Sequence, residues 1–243
     1  MELREQRFGI EIEMTGITRA GAAKVAATYF GTRSEYVGTY YQTYAAVDQE
    51  GRQWKFMSDG SIRAEKKVNG EKRAAGAVYR TEMVSPICRY EDIEKIQELI
   101  RELKKKGAIV NESCGIHVHI DASPFDAGKL RNLTNIMAAK EDLIYKALGV
   151  SVERQHRWCR PVEERFLEEL NRRRPTSMEA VEEIWYNGRS RRGQHYDQSR
   201  YHCLNLHSVF QKGTVEFGCS TGRSMQGRSR RISNFVLQLR RRH

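Results

Sequence analysis

The sequence predicts one α+β domain built on an antiparallel or mixed sheet. Three observations carry this. Short segments with strand alternation recur along the chain, four segments with helical composition or periodicity lie between them, and neither a fixed-period repeat nor a long Pro/Gly/Ser linker divides the 243 residues. A chain of this length can bury one sizeable core.

Residues 7–14, RFGIEIEM, alternate polar and apolar side chains with the period of a half-buried strand. Residues 20–29 are alanine-rich and read as helix. From about 36 to 90, tyrosines, Trp54 and short apolar pairs are broken by DG at 59–60 and NG at 69–70, which gives short strands and turns. In 91–106, Ile93, Ile96, Leu99, Ile100 and Leu103 fall on one helical face, with acids in the first turn, lysines in the last and Gly107 as the stop. GIHVHID at 115–121 is a strand, and a second long amphipathic helix covers about 126–148 before Gly149. Residues 161–187 read as two helical pieces, the second opened by a capping box from Thr176 to Glu179 after Pro175. YHCLNLHSVF and, after a Lys-Gly turn, TVEF return the chain to strand.

Composition narrows the function classes. An apolar fraction of 39% and a mean hydropathy of -0.69 describe a globular protein with a heavily charged surface. No run of about 18 apolar residues exists, and MELREQRFG lacks the apolar core of a signal peptide, so a cytoplasmic location and no membrane partner are expected. Five scattered cysteines with no C-x-x-C pair predict thiols rather than a disulfide framework or zinc ribbon. The net charge is +11, but residues 218–243 hold seven arginines and no acid, so most of the excess sits in that tail. Two further clusters, Arg172 to Arg174 and Arg189 with Arg191 and Arg192, flank RPTSMEAVEEIWYNG. Such clusters could meet phosphate or an acidic substrate, although a solvated charged face is their commoner meaning.

Strand geometry then places the chemistry. Successive side chains alternate faces, so Glu11 and Glu13 share one face and Ile10, Ile12 and Met14 the other. His117, His119 and Asp121 likewise oppose Ile116, Val118 and Ile120. Glu82 in YRTEMVSP and Glu216 in GTVEF occupy similar settings. Taken singly, each pattern is also that of an ordinary polar row on a sheet. If the four strands are neighbours, their carboxylates need a cation between them, because crowded like charges otherwise force protonation. Oxygen donors with one or two imidazoles suit Mg2+ or Mn2+ better than zinc.

In this order, FGIEIE, WKFMSDGS, TEMVSP, CGIHVHID and RYHCLNLHSVFQKGTVEF resemble the amidoligase family, relatives of glutamine synthetase and glutamate-cysteine ligase, over residues 7–217. The resemblance implies a glutamine-synthetase-like catalytic domain, a mainly antiparallel curved sheet forming a half-barrel funnel with helices on its outer face. It implies ATP and Mg2+ or Mn2+ as cofactors, and a ligase that joins a small-molecule or peptide carboxylate to an amine through an acyl phosphate. Carried over position by position, Glu11, Glu13, Glu82, His117 and Glu216 would face metal, His119, Asn205, Ser61 and Asp59 nucleotide, and Arg200 and Lys55 the reacting groups. The two glutamates of GIEIE would then hold the ions that carry ATP.

One departure stands out. After TVEF the family pattern continues with an arginine and roughly LFNGTLHAG, whereas this chain has GCSTGRSMQG and the basic tail. One base supplied ahead of the codons for GCSTGRSMQ regroups them so that they permit RLFNGTLHA. The chain therefore reads as a catalytic domain over 1–217 and an atypical tail over 218–243, either frameshifted, with impaired activity, or a divergent basic end. Two other functions remain open: a metal-dependent nuclease or phosphoesterase, and an inactive protein that binds nucleic acid or a partner through its arginines. The sequence does not define an oligomeric state.

Overall fold

A computed structural model describes residues 5–221, the side chains of 219–221 excepted. The chain divides into two compact units, one ending at Ile116 and the other running His117–Ser220. The first holds β1 (Phe8–Met14), α1 (Arg19–Phe30), β2 (Ser34–Gly38), β3 (Thr43–Val47), β4 (Gln53–Met57), β5 (Glu65–Val68), β6 (Glu71–Ala74), β7 (Thr81–Val84) and α2 (Asp92–Lys105). The unit boundary falls inside β8 (Gly115–Asp121).

Five strands of the first unit form an antiparallel sheet in the order β2-β3-β4-β7-β1. Its apolar rows are those the alternation assigns: Ile12 pairs with Met83 and Met83 with Phe56, and all three are fully buried. Ile10 is buried beside them. Full burial of such a side chain contributes about 1.5 to 3 kcal/mol. The alanines of α1 permit close approach to β2, β3, β4 and β7, and its last residue, Phe30, places its ring 5.5 Å from that of Trp54. Thr18 caps the start of α1 by accepting from the Gly21 amide, and Gly31 closes its end in the left-handed conformation. The amphipathic α2 packs beside α1 and buries Ile96, Leu99 and Leu103.

Turn chemistry explains the joins. In the β5–β6 hairpin, Asn69 and Gly70 have φ of 52° and 86°, the two left-handed positions that an NG turn supplies. Past β1 the chain turns at Gly16, φ 80°, where an added Cβ would lie 2.4 Å from the Gly107 carbonyl oxygen. Only glycine allows that approach.

The second unit carries the rest of β8, then α3 (Ala127–Leu148), α4 (Val152–Arg157), α5 (Glu164–Arg173), α6 (Met178–Tyr186), β9 (Leu204–Asn205), α7 (His207–Lys212) and β10 (Thr214–Thr221). Here β10 lies between β8 and β9, and α5 packs against α3 and α6. Among the described residues no helix is long and apolar enough to cross a membrane.

Several expectations are corrected. YHCLNLHSVF is not one strand: only Leu204–Asn205 forms a strand, His202 makes an isolated bridge to Arg160, and a helix starts at His207. The Asn205 side chain accepts from the Ser208 amide at 3.4 Å and Gly213 ends the helix, so local capping overrides the apolar alternation. The cap of α6 is Ser177, which accepts from the Ala180 amide at 3.2 Å, so the box from Thr176 to Glu179 does not form. Cys88, Cys114 and Cys159 are buried thiols, whereas Cys203 is disulfide-bonded, which scattered spacing does not reveal. The strand β10 continues past Phe217 to Thr221, and the Gly218 amide donates to the Cys203 carbonyl at 2.9 Å. Of the tail at 218–243 on which the frameshift reading falls, 218–221 belong to β10, and the rest, with the arginines from Arg223 onward, lies outside the described residues.

Candidate metal centre

In the first unit the register between β1 and β7 sets Glu13 directly opposite Glu82, and that between β7 and β4 sets Glu82 opposite Met57. Met57 ends its strand, and two residues later the Asp59-Gly60 turn brings a third carboxylate back to the same place. Asp59 holds the turn by accepting from the Ser61 amide at 2.6 Å. One oxygen each from Glu13, Asp59 and Glu82 lies within 4.8 Å of the others. Glu13 is buried and the other two are half-buried. Glu13 Oε2 accepts the Gly115 amide at 2.5 Å, which fixes the carboxylate's orientation.

Three carboxylates at this spacing repel each other unless a cation lies between them. Their hard oxygens and partial access to water fit Mg2+ or Mn2+, which take carboxylates while keeping several waters. Glu11, two residues along the same face, pairs with Val84 rather than with another acid. Beyond Val84 lies Lys55, exposed on β4. Ser61 is exposed beside Asp59.

The second unit gathers another set. Glu216 lies opposite Asn205 in the β9–β10 ladder, and Asn205 donates to its Oε2 at 2.8 Å. Its Oε1 is 2.8 Å from His117 Nδ1. His119 is buried, with Nδ1 3.0 Å from Thr214 Oγ1 and Nε2 3.8 Å from Glu216 Oε2. An ionised carboxylate can only accept, so with Glu216 ionised His117 donates through Nδ1. That is the arrangement in which a carboxylate orients a metal-binding imidazole. Glu216, expected as a direct ligand, already has both oxygens engaged by Asn205 and His117.

Of the residues singled out in the sequence, the fold thus brings Glu13, Asp59 and Glu82 together in one unit. It brings His117, His119, Asn205 and Glu216 together in the other. Arg200 joins neither set: its Nη1 donates to the His195 carbonyl at 2.7 Å and its guanidinium lies over Tyr201. Gly115, which fixes Glu13, was missed as a site residue. Its position opening the GIHVHID strand was the available signal.

An α+β fold whose antiparallel sheet presents three carboxylates spaced so that they could hold a divalent cation defines the class in coarse terms. The match to a protein family is more specific. Residues 4–238 fit the model of a family described as "Putative amidoligase enzyme", and the chain belongs to that family. No curated protein and no solved structure matches the chain significantly.

Proposed function

We propose that the protein is an ATP-dependent carboxylate-amine ligase. The observation that carries this is the Glu13, Asp59 and Glu82 cluster in a chain of the amidoligase family. A divalent ion held there, Mg2+ or Mn2+, would neutralise triphosphate charge. Glu13, Asp59 and Glu82 would hold it, with Glu11 further along the same face. His117 would face metal, with Glu216 keeping it in its Nδ1–H tautomer, and His119 and Asn205 would serve the nucleotide. Lys55 and Ser61, both exposed, are free to meet phosphate, and Arg200 meets the substrate once released from the His195 carbonyl.

In the reaction a substrate carboxylate attacks the γ-phosphorus of ATP, giving an acyl phosphate and ADP. An amine then displaces phosphate, loses a proton and forms the amide. The chain's contribution is placement and charge stabilisation, with no side-chain nucleophile. The same reading assigns the antiparallel sheet to a glutamine-synthetase-like domain, the substrates to small molecules or peptides, and the location to the cytoplasm.

A screen of carboxylate and amine pairs with ATP and Mg2+, read by mass spectrometry, tests this. ADP release that requires both partners and yields a product lighter by one water supports the ligase. Cleavage of nucleic acid without ATP would instead establish a metal-dependent nuclease, and salt-sensitive nucleic-acid binding without turnover an inactive binding protein.

A further inference from the structure

The second unit contains a cavity of about 500 Å3 bounded by α5, the end of α6 and the segments 160–163 and 198–202. This volume suits a small ligand. Its wall carries Arg160, Arg165 and Arg191 against one acid, Glu163. Arg160 donates to the carbonyls of Tyr201 at 3.3 Å and Gln198 at 2.5 Å, and Arg165 to the Asn187 side-chain oxygen at 2.7 Å. Both guanidiniums are therefore positioned by neutral acceptors and keep their charge for a ligand. Arg191 differs, with Asp197 at 3.3 Å.

The rest of the wall adds an apolar surface and a lone pair. Phe166 and Trp185 meet edge to face with ring centroids 4.9 Å apart. The Trp185 indole N–H is already satisfied by Ser199 Oγ at 3.1 Å. His202 Nδ1 lies 2.8 Å from the Pro161 carbonyl, so it must carry the proton. Burial, with Arg160 nearby, lowers the His202 pKa, and the ring is neutral at pH 7. Its Nε2 is then a lone pair that accepts an N–H. An adjoining cavity of about 600 Å3 shares Asn187 and Arg191, so the groove extends beyond the room for one residue.

We propose that this groove binds the carboxyl-terminal end of a short peptide, its carboxylate on Arg160 and Arg165, its last side chain against Phe166 and Trp185, and a peptide N–H on His202. Inorganic phosphate matches the arginines but brings neither an N–H nor an apolar group. The peptide's part as one substrate of the ligation rests on the ligase reading, whereas its binding does not.

The test uses the full chain without ATP or metal. Binding of Gly-Gly-Leu, its C-terminal amide and inorganic phosphate is measured by calorimetry and by tryptophan fluorescence. The expected result is that Gly-Gly-Leu binds, that the amide and phosphate bind at least about tenfold more weakly, and that Arg165→Gln weakens the peptide by about tenfold or more. Trp185→Phe removes the fluorescence change while calorimetric binding persists. Absence of peptide binding, equal affinity for the amide or phosphate, or an unchanged Arg165→Gln variant overturns the proposal. Peptide bound but never consumed with ATP and any amine, even by the chain with one base supplied after Phe217, would count against the ligase reading alone.

Discussion

Glu13 and Glu82 face each other across two antiparallel strands, and like charges directly opposite destabilise a sheet by about 0.2 to 1 kcal/mol. Glu82→Gln should therefore raise stability by about that amount in chelator and weaken divalent-ion binding, checked by thermal unfolding with and without Mn2+. The period of 2 in GIEIE assigns faces but not register, and register decides that Glu13 meets an acid while Glu11 meets Val84. Asp59 was read as a turn residue and, from the family resemblance, as facing nucleotide rather than metal, because its approach to the two glutamates depends on where β4 ends. A different carboxylate governs pH behaviour. Glu141 on α3 is buried and accepts the Val162 amide at 2.9 Å, and burial pushes its pKa up to about 7 from 4.5. A raised acid binds its proton more tightly in the fold, so this stabilisation is full below about pH 4.5 and is lost as pH rises through about 7. Glu141→Gln, which can still accept from Val162, should flatten that fall and be more stable at pH 8 by about 1 to 3 kcal/mol, read from denaturant unfolding across pH.

The elements divide by how local their signals are. The boundaries of α2 and α3 were legible because apolar periodicity and terminal glycines agree within one segment, as Gly149 shows at the end of α3, whereas α1 was marked by its alanines alone. The helix at His207 was not, because the two-residue strand before it, with the Asn205 side chain that meets the Ser208 amide, is fixed by pairing with β10. At α6, Ser177→Ala should cost about 1 kcal/mol and Thr176→Ala much less, since only Ser177 bonds the helix amides. The link between β4 and α2 is a charged one. Arg52 spans Asp48 and Asp92, with bonds of 2.7 and 2.8 Å to Asp92. Burial opposes ionisation of Asp92, yet Arg52 and the Arg89 amide outweigh it and hold its pKa at about 2. Arg52→Ala removes the hydrogen-bonded cation and leaves Lys95, 3.8 Å from Asp48 and 3.5 Å from Asp92, as the remaining positive charge between the two low-exposure carboxylates. The expected cost is about 1.5 to 3 kcal/mol at pH 7. In the intact protein this contribution is present above about pH 4 and is lost as pH falls toward 2. Urea unfolding of the variant at both pH values checks the magnitude and the sign.

Across the whole chain, the ordered motifs revealed the family, and the matched span of 4–238 agrees with it. The division at Ile116, inside a strand, had no signature in composition or linker chemistry. The end of the chain bears on turnover. Gly218 stands where the family resemblance places an arginine, and a Cβ there would meet His117 Nδ1 and the His202 carbonyl oxygen at 3.6 Å, an ordinary contact. We expect low turnover in this chain, a folded Gly218→Arg variant, and higher ADP release when one base is supplied after Phe217. The central claim concerns metal-carried nucleotide and is separable from turnover. Equilibrium binding of ATP with and without Mn2+, in the unaltered chain and in Glu13→Gln, tests it most directly. The account predicts ATP binding that requires Mn2+ and falls by about tenfold or more in Glu13→Gln; nucleotide binding that ignores both the ion and the substitution would contradict it.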